Sequence, residues 1–320
     1  MKLAFQFLVY LLGRSLECAV LLTPVPLGLG IGRGVGLVVW WLARRRRRIA
    51  LDNIRHAYKG QLTPREMRRL ARRSLMHMGS VAAETIYIPR LISVETWQRY
   101  AVLEGYRQVL QPILAGRGAI VVTGHLGNWE LGAAVMAALG FPIFAIARPP
   151  SNPFVARRVR QVRQAYGQEL IDKRGALDAM EEVLQQGGVL GFLADQHAGR
   201  TGLWVDFLGR PASTHKAVAL LAIRMNVPIL VTYACRTGRG FRYVLRVAEA
   251  IQPADYADDP RALEHITQRY TTALGRAILD YPEQWLWAHR RWRPRGHRTR
   301  RRRSADRRTI AKTPPPKRGG

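Results

Sequence analysis

Apolar and polar positions change their spacing along this chain of 320 residues. At the start the apolar positions are nearly continuous: Leu3–Leu12, an uncharged stretch from Cys18 to Gly32, then Val35–Ala43. Arg14, Glu17 and Arg33 interrupt them, so no run reaches the ~18–20 residues of a clean transmembrane span. Pro24 and Pro26 break any single helix through the region. A cleaved signal peptide does not fit, because the positive n-region is one lysine and no small-x-small site follows. Arg44–Arg48 comes next, and five arginines beside Trp40-Trp41 suit a bilayer interface with anionic head groups on the cytoplasmic side. Residues 1–43 are therefore expected to form a membrane-associated helical segment. The competing reading is a core helix followed by a basic turn.

Helical spacing resumes at Ile49–Tyr58. Thr63-Pro64-Arg65-Glu66 then supplies an N-cap, a proline at N1 and an acid at N3, which predict a helix from Pro64 to about Tyr87. A further helix is expected near Val94–Tyr100. From Gly118 strands and helices alternate. Strands are expected at Ala119–Thr123, Ile143–Ala147, Val189–Ala194, Pro228–Ala234 and Phe241–Ala248. Helices are expected at Trp129–Leu139, Pro153–Tyr166, Leu177–Gln186, Lys216–Met225 and Arg261–Tyr281. Asp206–Pro211, punctuated by Gly209 and Pro211, reads as a structural turn. Such alternation predicts an α/β domain over residues 44–295, with a central, mainly parallel sheet flanked by helices.

Composition narrows the function classes. Hydrophobic residues are 48% of the chain, which rules out global disorder. Two cysteines, Cys18 and Cys235, cannot build a disulfide framework. The net charge is +29, of which +13 falls in residues 290–320, a segment with almost nothing apolar. A disordered basic tail is expected over 296–320. So basic a chain implies an anionic partner. No residue after Trp292 could stack a nucleobase, so no specific nucleic acid is expected.

The stretch richest in chemistry is Gly124-His125-Leu126-Gly127-Asn128-Trp129-Glu130. It puts an imidazole at the carboxyl end of a buried strand, where open α/β sheets bind ligands, and a carboxylate in the next helix's first turn. His125 can take a proton from a hydroxyl, and Glu130 could reach back to hold its other ring nitrogen. Two bland readings stay open: Glu130 answers the helix dipole, and His125 is a hydrogen-bonded turn residue. Arg148, in Arg-Pro-Pro, suits either a lipid phosphate or plain surface. Asp195 either caps a turn or joins the site, and Arg163 lies on a basic helix whose default is a solvated face. His125, Glu130, Asp195 and His197 could be drawn as metal ligands, but zinc-protease helix spacing is absent and no metal is expected.

Several segments recur in one order. After the apolar start and Arg44–Asn53 come Gly124–Glu130, Ala147–Pro153, Arg163-x3-Gly167, Ala194-Asp195-Gln196, Val205–Ala212 and Pro282–Trp292. In this the sequence resembles the bacterial lipid A biosynthesis lauroyl/myristoyl acyltransferase family, with its H-x4-D/E motif, over roughly residues 1–293. The resemblance implies transfer of a fatty acyl chain from a thioester to a hydroxyl of a lipid A-type glycolipid precursor. The donor would be acyl carrier protein or acyl-coenzyme A. It implies a site facing the cytoplasm on the cell inner membrane, and no cofactor. The family's dyad falls on His125 and Glu130, and its further catalytic candidates on Arg163 and Asp195. Arg163, or backbone amides near Gly127, would answer a developing oxyanion. Arg148, Gly127 and Asn128 would meet the substrate. His197 stands where many members carry an acid. The alternatives are another lipid acceptor, such as a lysophospholipid or mannosylated lipid, a basic nucleic-acid-binding protein, or a structural membrane protein.

Overall fold

The computed structural model describes residues 2–147, 150–172, 176–238 and 240–294. The expected tail 296–320 and Arg148 lie outside the described residues. In chain order the elements begin with four helices: α1 (Lys2–Leu21), α2 (Val25–Leu42), α3 (Arg44–Ala57) and α4 (Pro64–Leu91). The alternating part follows as β1 (Ala101–Glu104), α5 (Tyr106–Leu114), β2 (Ala119–Thr123), α6 (Trp129–Ala138), β3 (Ile143–Ala147), α7 (Pro153–Ala165), β4 (Glu169–Asp172), α8 (Ala176–Gln185) and β5 (Val189–Leu193). It ends with β6 (Leu203–Phe207), β7 (Arg210–Thr214), α9 (Ala217–Met225), β8 (Ile229–Arg236), β9 (Tyr243–Ile251) and α10 (Ala262–Asp280).

Seven strands form one sheet in the order β1-β9-β8-β2-β5-β3-β4. The five from β8 to β4 are parallel, as the buried apolar runs predict; β9 runs against β8, and β1 runs parallel with β9. Alternate residues of β2 serve opposite faces. Ile120 and Val122 pack with α8, α9 and α10, while Ala119 and Val121 pack with α6 and the end of α4. Helices therefore cover both faces of a buried sheet.

Several expectations change. The helix expected near Val94–Tyr100 is a single 3-10 turn at Trp97–Arg99. β1 and β4 were not expected; they are the sheet's two edges, four residues each, and lack the long apolar run of a central strand. The turn expected at Asp206–Pro211 is the tip of an antiparallel hairpin, β6–β7. Leu208 and Gly209 both have positive φ (55° and 82°), as a tight two-residue hairpin requires.

At the N-terminus the helices run straight through the charges that seemed to interrupt them. Within α1, Arg14 pairs with Glu17, and Arg158 of α7 pairs with Glu17 from outside. Both α1 and α2 are long and apolar enough to cross a membrane, and they break at Pro24 as expected. They differ in surroundings. α1 exposes Leu3, Phe5, Leu8, Leu12 and Leu16, whereas α2 buries a glycine edge against α4. A Cβ on Gly32 would lie 2.5 Å from the carbonyl oxygen of Gly79, so only glycine lets the two backbones approach. α4 begins with the anticipated capping box: Thr63 Oγ1 accepts from the Glu66 N–H, and Glu66 accepts from the Thr63 N–H at 2.8 Å.

This contact can be tested within one helix. Gly32→Ala must push α2 off α4 and should cost about 1–3 kcal/mol, the usual penalty of overpacking. Gly30→Ala adds a Cβ that meets nothing and should be neutral or stabilising. Thermal unfolding of both variants in detergent separates them; equal melting temperatures would contradict the contact.

Candidate active site

β2 and β5 are neighbours in the sheet, with Thr123 paired to Leu193. Two residues beyond each strand end stand His125 and Asp195, so the parallel register delivers them to the same place. Asp195 is almost wholly buried and accepts three hydrogen bonds. The His125 backbone N–H donates to Oδ2 at 2.8 Å, the Trp285 indole N–H to Oδ2 at 2.7 Å, and His125 Nδ1 meets Oδ1 at 2.9 Å. Burial alone would raise the Asp195 pKa, but the imidazole and these donors lower it to about 2. Burial likewise disfavours the His125 imidazolium, yet Asp195, its hydrogen bond and the charge of Glu130 outweigh that and raise the His125 pKa.

Glu130 does not hold His125, which corrects the expected dyad. Its carboxylate accepts from Arg163 Nε at 3.2 Å, from a second Arg163 nitrogen, from the Tyr166 hydroxyl and from the Trp129 indole N–H at 3.1 Å. The reason is geometric: Asp195 already occupies Nδ1, and the Trp129 ring lies edge-on to His125, centroids 4.8 Å apart. Arg163, on a helix whose default was a solvated face, is turned inward by this ion pair.

Gly127 and Asn128 are scaffold by geometry, not surfaces that face a ligand. Gly127 has φ +63°, and a Cβ there would collide with the Ala234 carbonyl oxygen. Its N–H donates to the Gln284 carbonyl at 3.0 Å, and the Asn128 N–H donates to the Ala234 carbonyl at 2.8 Å. The amides expected to answer an oxyanion are thus engaged elsewhere. Asn128 caps α6 by accepting from the Leu131 N–H (2.9 Å) and donates its amide to Glu84 (2.9 Å).

Glu84 was missed in the sequence, as were Tyr166, Gln196 and the role of Trp285. Glu84 is fully buried in α4, where Arg236 and the Tyr243 hydroxyl also reach it. An acid inside Val81-Ala82-Ala83-Glu84-Thr85-Ile86 was the available signal. His77, two turns earlier on the same helix, meets the Gly127 carbonyl at 3.2 Å; burial and Arg236 lower its pKa to about 3, so it is neutral.

His125 opens onto a cavity of about 450 Å³. Trp129, Glu130, Arg163 and Gln196 line its polar end, and residues such as Met136, Leu139, Phe192 and Leu245 make the rest apolar. Among the described residues no group of three or more His, Cys, Asp or Glu side chains is placed to hold a metal ion.

A family model, that of the bacterial lipid A biosynthesis acyltransferases, matches residues 2–294. The chain belongs to that family. It is thereby an enzyme of the acyltransferase class. Among its relatives is the lipid A biosynthesis lauroyltransferase of Escherichia coli, 25% identical over 293 residues, 89% of this chain and 91% of that one. The palmitoleoyltransferase of lipid A biosynthesis in the same organism is 24% identical over 278 residues, 85% and 87% of the two chains. The phosphatidylinositol mannoside acyltransferase of Mycobacterium tuberculosis is 24% identical over 195 residues; the match spans 60% of each chain.

The His125–Asp195 contact predicts a measurable pKa. Asp195→Asn keeps the shape but removes the charge, so burial should dominate and the His125 pKa should fall. An NMR titration of the His125 ring in the purified protein reads this directly; an unchanged value would show that Asp195 does not set it.

Proposed function

We propose that this acyltransferase moves a fatty acyl chain from a thioester, carried by acyl carrier protein or coenzyme A, to a hydroxyl of a lipid A-type glycolipid precursor. The observation that carries the reading is the His125–Asp195 pair, 2.9 Å apart at the mouth of an apolar cavity. His125 is the general base: Nε2 takes the proton of the acceptor hydroxyl as its oxygen attacks the thioester carbonyl carbon. Asp195 keeps the proton of the resting ring on Nδ1 and stabilises the imidazolium that forms. When the tetrahedral intermediate collapses, the C–S bond breaks and the leaving thiolate recovers the proton from His125. The apolar cavity receives the acyl chain. Glu130, Arg163 and Tyr166 form a fixed polar wall beside the base, and Arg163 supplies positive charge to the reaction centre.

A second acceptor class is favoured by one observation, the match to the mannoside acyltransferase. A mannosylated lipid presents the same chemistry, a sugar hydroxyl on an anionic lipid. Mass spectrometry of membrane lipids with and without the gene distinguishes the two: the lipid that loses one acyl chain is the acceptor. Complementation with His125→Ala should fail, with turnover of the purified variant lower by about 10²–10⁴. His125→Ala and Asp195→Asn should be non-additive, because the two act as one unit. Near-normal turnover of folded His125→Ala would overturn the mechanism.

The reading includes a place on the cytoplasmic face of the inner membrane. The exposed apolar side chains of α1 suit lipid, and Arg44, Arg45 and Arg48 are exposed just after α2. Replacing these three arginines by serine should weaken binding to vesicles containing anionic lipid by tenfold or more, at about 1 kcal/mol for each charge near the surface. Equal binding to anionic and neutral vesicles by the unaltered protein would contradict the placement. The basic segment 296–320 is proposed to be dispensable for turnover.

A further inference from the structure

With Asp195 on Nδ1, the ring nitrogen of His125 left for the acceptor hydroxyl is Nε2. One polar side chain lies over the face of the ring beside it. The Gln196 amide nitrogen lies 3.1 Å from Nε2 and 3.3 Å from Nδ1, against the ring and inside the cavity mouth. Its main chain is anchored from behind, because the fully buried Arg291 donates to the Gln196 carbonyl at 3.2 Å while also holding Ser213 and Thr214 of β7.

The nearest main-chain and indole donors are engaged, and Arg163 bonds Glu130 through two of its three nitrogens. The N–H groups of His125, Gly127 and Asn128 go to Asp195, Gln284 and Ala234. The Trp285 indole N–H is on Asp195, and Trp129 and Arg163 are on Glu130. A thioester carbonyl under attack needs a hydrogen-bond donor within about 3 Å of its oxygen. That oxygen stands two bonds from the attacking oxygen, which itself sits in hydrogen-bond reach of Nε2. The Gln196 amide falls in this shell.

We propose that Gln196 is a further catalytic residue, whose side-chain N–H donates to the oxyanion during acyl transfer. The proposal rests on the thioester reaction described above. As the acceptor oxygen forms its bond to the carbonyl carbon, its proton goes to His125 Nε2 and the carbonyl electron pair moves onto oxygen. The incoming hydroxyl meets Nε2 in the plane of the ring, and the Gln196 amide, lying over the ring face, turns its N–H to the new negative charge. Collapse returns that electron pair, breaks the C–S bond and sends the proton to the thiolate. No other reactant is required.

The test uses the full-length protein in detergent micelles, with dodecanoyl-coenzyme A or dodecanoyl-acyl carrier protein, whichever it turns over. The acceptor is the lipid extract of a strain lacking the gene. Gln196→Met keeps the length without a donor, and Gln196→Ala removes the side chain altogether. Both should lower kcat by about 10²–10³ with KM within roughly threefold, the signature of a donor used only in the transition state. Gln196→Glu should be slower still, since a carboxylate would face the oxyanion. The NMR titration of His125 and the melting temperature should match those of the unaltered protein. A kcat within about threefold of normal for folded Gln196→Met, with His125→Ala inactive, overturns the role of Gln196 and leaves the reaction standing. Normal turnover by His125→Ala overturns the reaction itself. A lost kcat accompanied by a shifted His125 titration would overturn the oxyanion role in favour of ring positioning.

Discussion

Asp195 is a carboxylate almost wholly buried, and its ionised form survives because three donors, the His125 imidazole among them, converge on it. That requirement constrains much of the fold. The β2–β5 register must bring residue 195 beside residue 125, and the C-terminal segment must fold back far enough to present the Trp285 indole. Each is a backbone condition, and each is met by main-chain pairing: the Leu286 N–H donates to the His125 carbonyl, and the Gly127 N–H to the Gln284 carbonyl. The loop bearing the base is thereby pinned by two isolated bridges, Leu126 to Trp285 and Gly127 to Ala234.

α4 links this site to the apolar N-terminus. One side of the helix meets α2 through Gly79 and Ala83; another sends Ser74 to the Trp285 carbonyl, His77 to Gly127 and Glu84 to Asn128. Burial pushes the Glu84 pKa up, while Arg236, Tyr243 and Asn128 favour its ionised form. Losing one of those partners would leave a charge without water or an adequate counter-ion, an outcome costing several kcal/mol. α2 is accordingly part of the same packed body as the site, whereas α1 touches it through α7, by the Phe7 and Tyr10 rings on Phe154 and by Glu17 on Arg158, and through α4, where the Tyr87 hydroxyl donates to the Val20 carbonyl at 2.6 Å.

The central strands were legible because burial on both faces writes an apolar run, and Thr63–Glu66 was legible because a capping box is local. Edge strands β1 and β4 carry no such run. The dyad shows a sharper limit. His125 and Glu130 are five residues apart, so the sequence offers them as partners, but a turn between strand and helix aims Glu130 toward α7. Asp195 is 70 residues from His125 and adjacent only through the sheet. It was visible as a candidate, and its role was not. The continuity of α1 across Arg14 and Glu17 was hidden for a related reason, since these charges find each other and Arg158.

The charges around the base explain why two carboxylates can serve one imidazole. Asp195 and Glu130 are each negative; Arg163 is held on Glu130, and Arg291, although burial lowers its pKa to about 10, is still a cation at neutral pH. His289, beside Asp195 and His125, is lowered to about 4, by burial before all else, and adds no charge. In its neutral, proton-accepting form His125 sits in a cluster of two negative and two positive groups. Under the proposed mechanism the proton it accepts is matched by the oxyanion created in the same step, so the cluster's net charge does not change. In a cavity with mostly apolar walls, Coulomb terms are larger than in water, and a step that creates no net charge avoids the largest of them. The fixed ion pairs keep their orientation throughout, and stabilisation of the new charge pair then requires motion only of groups that touch the reacting atoms.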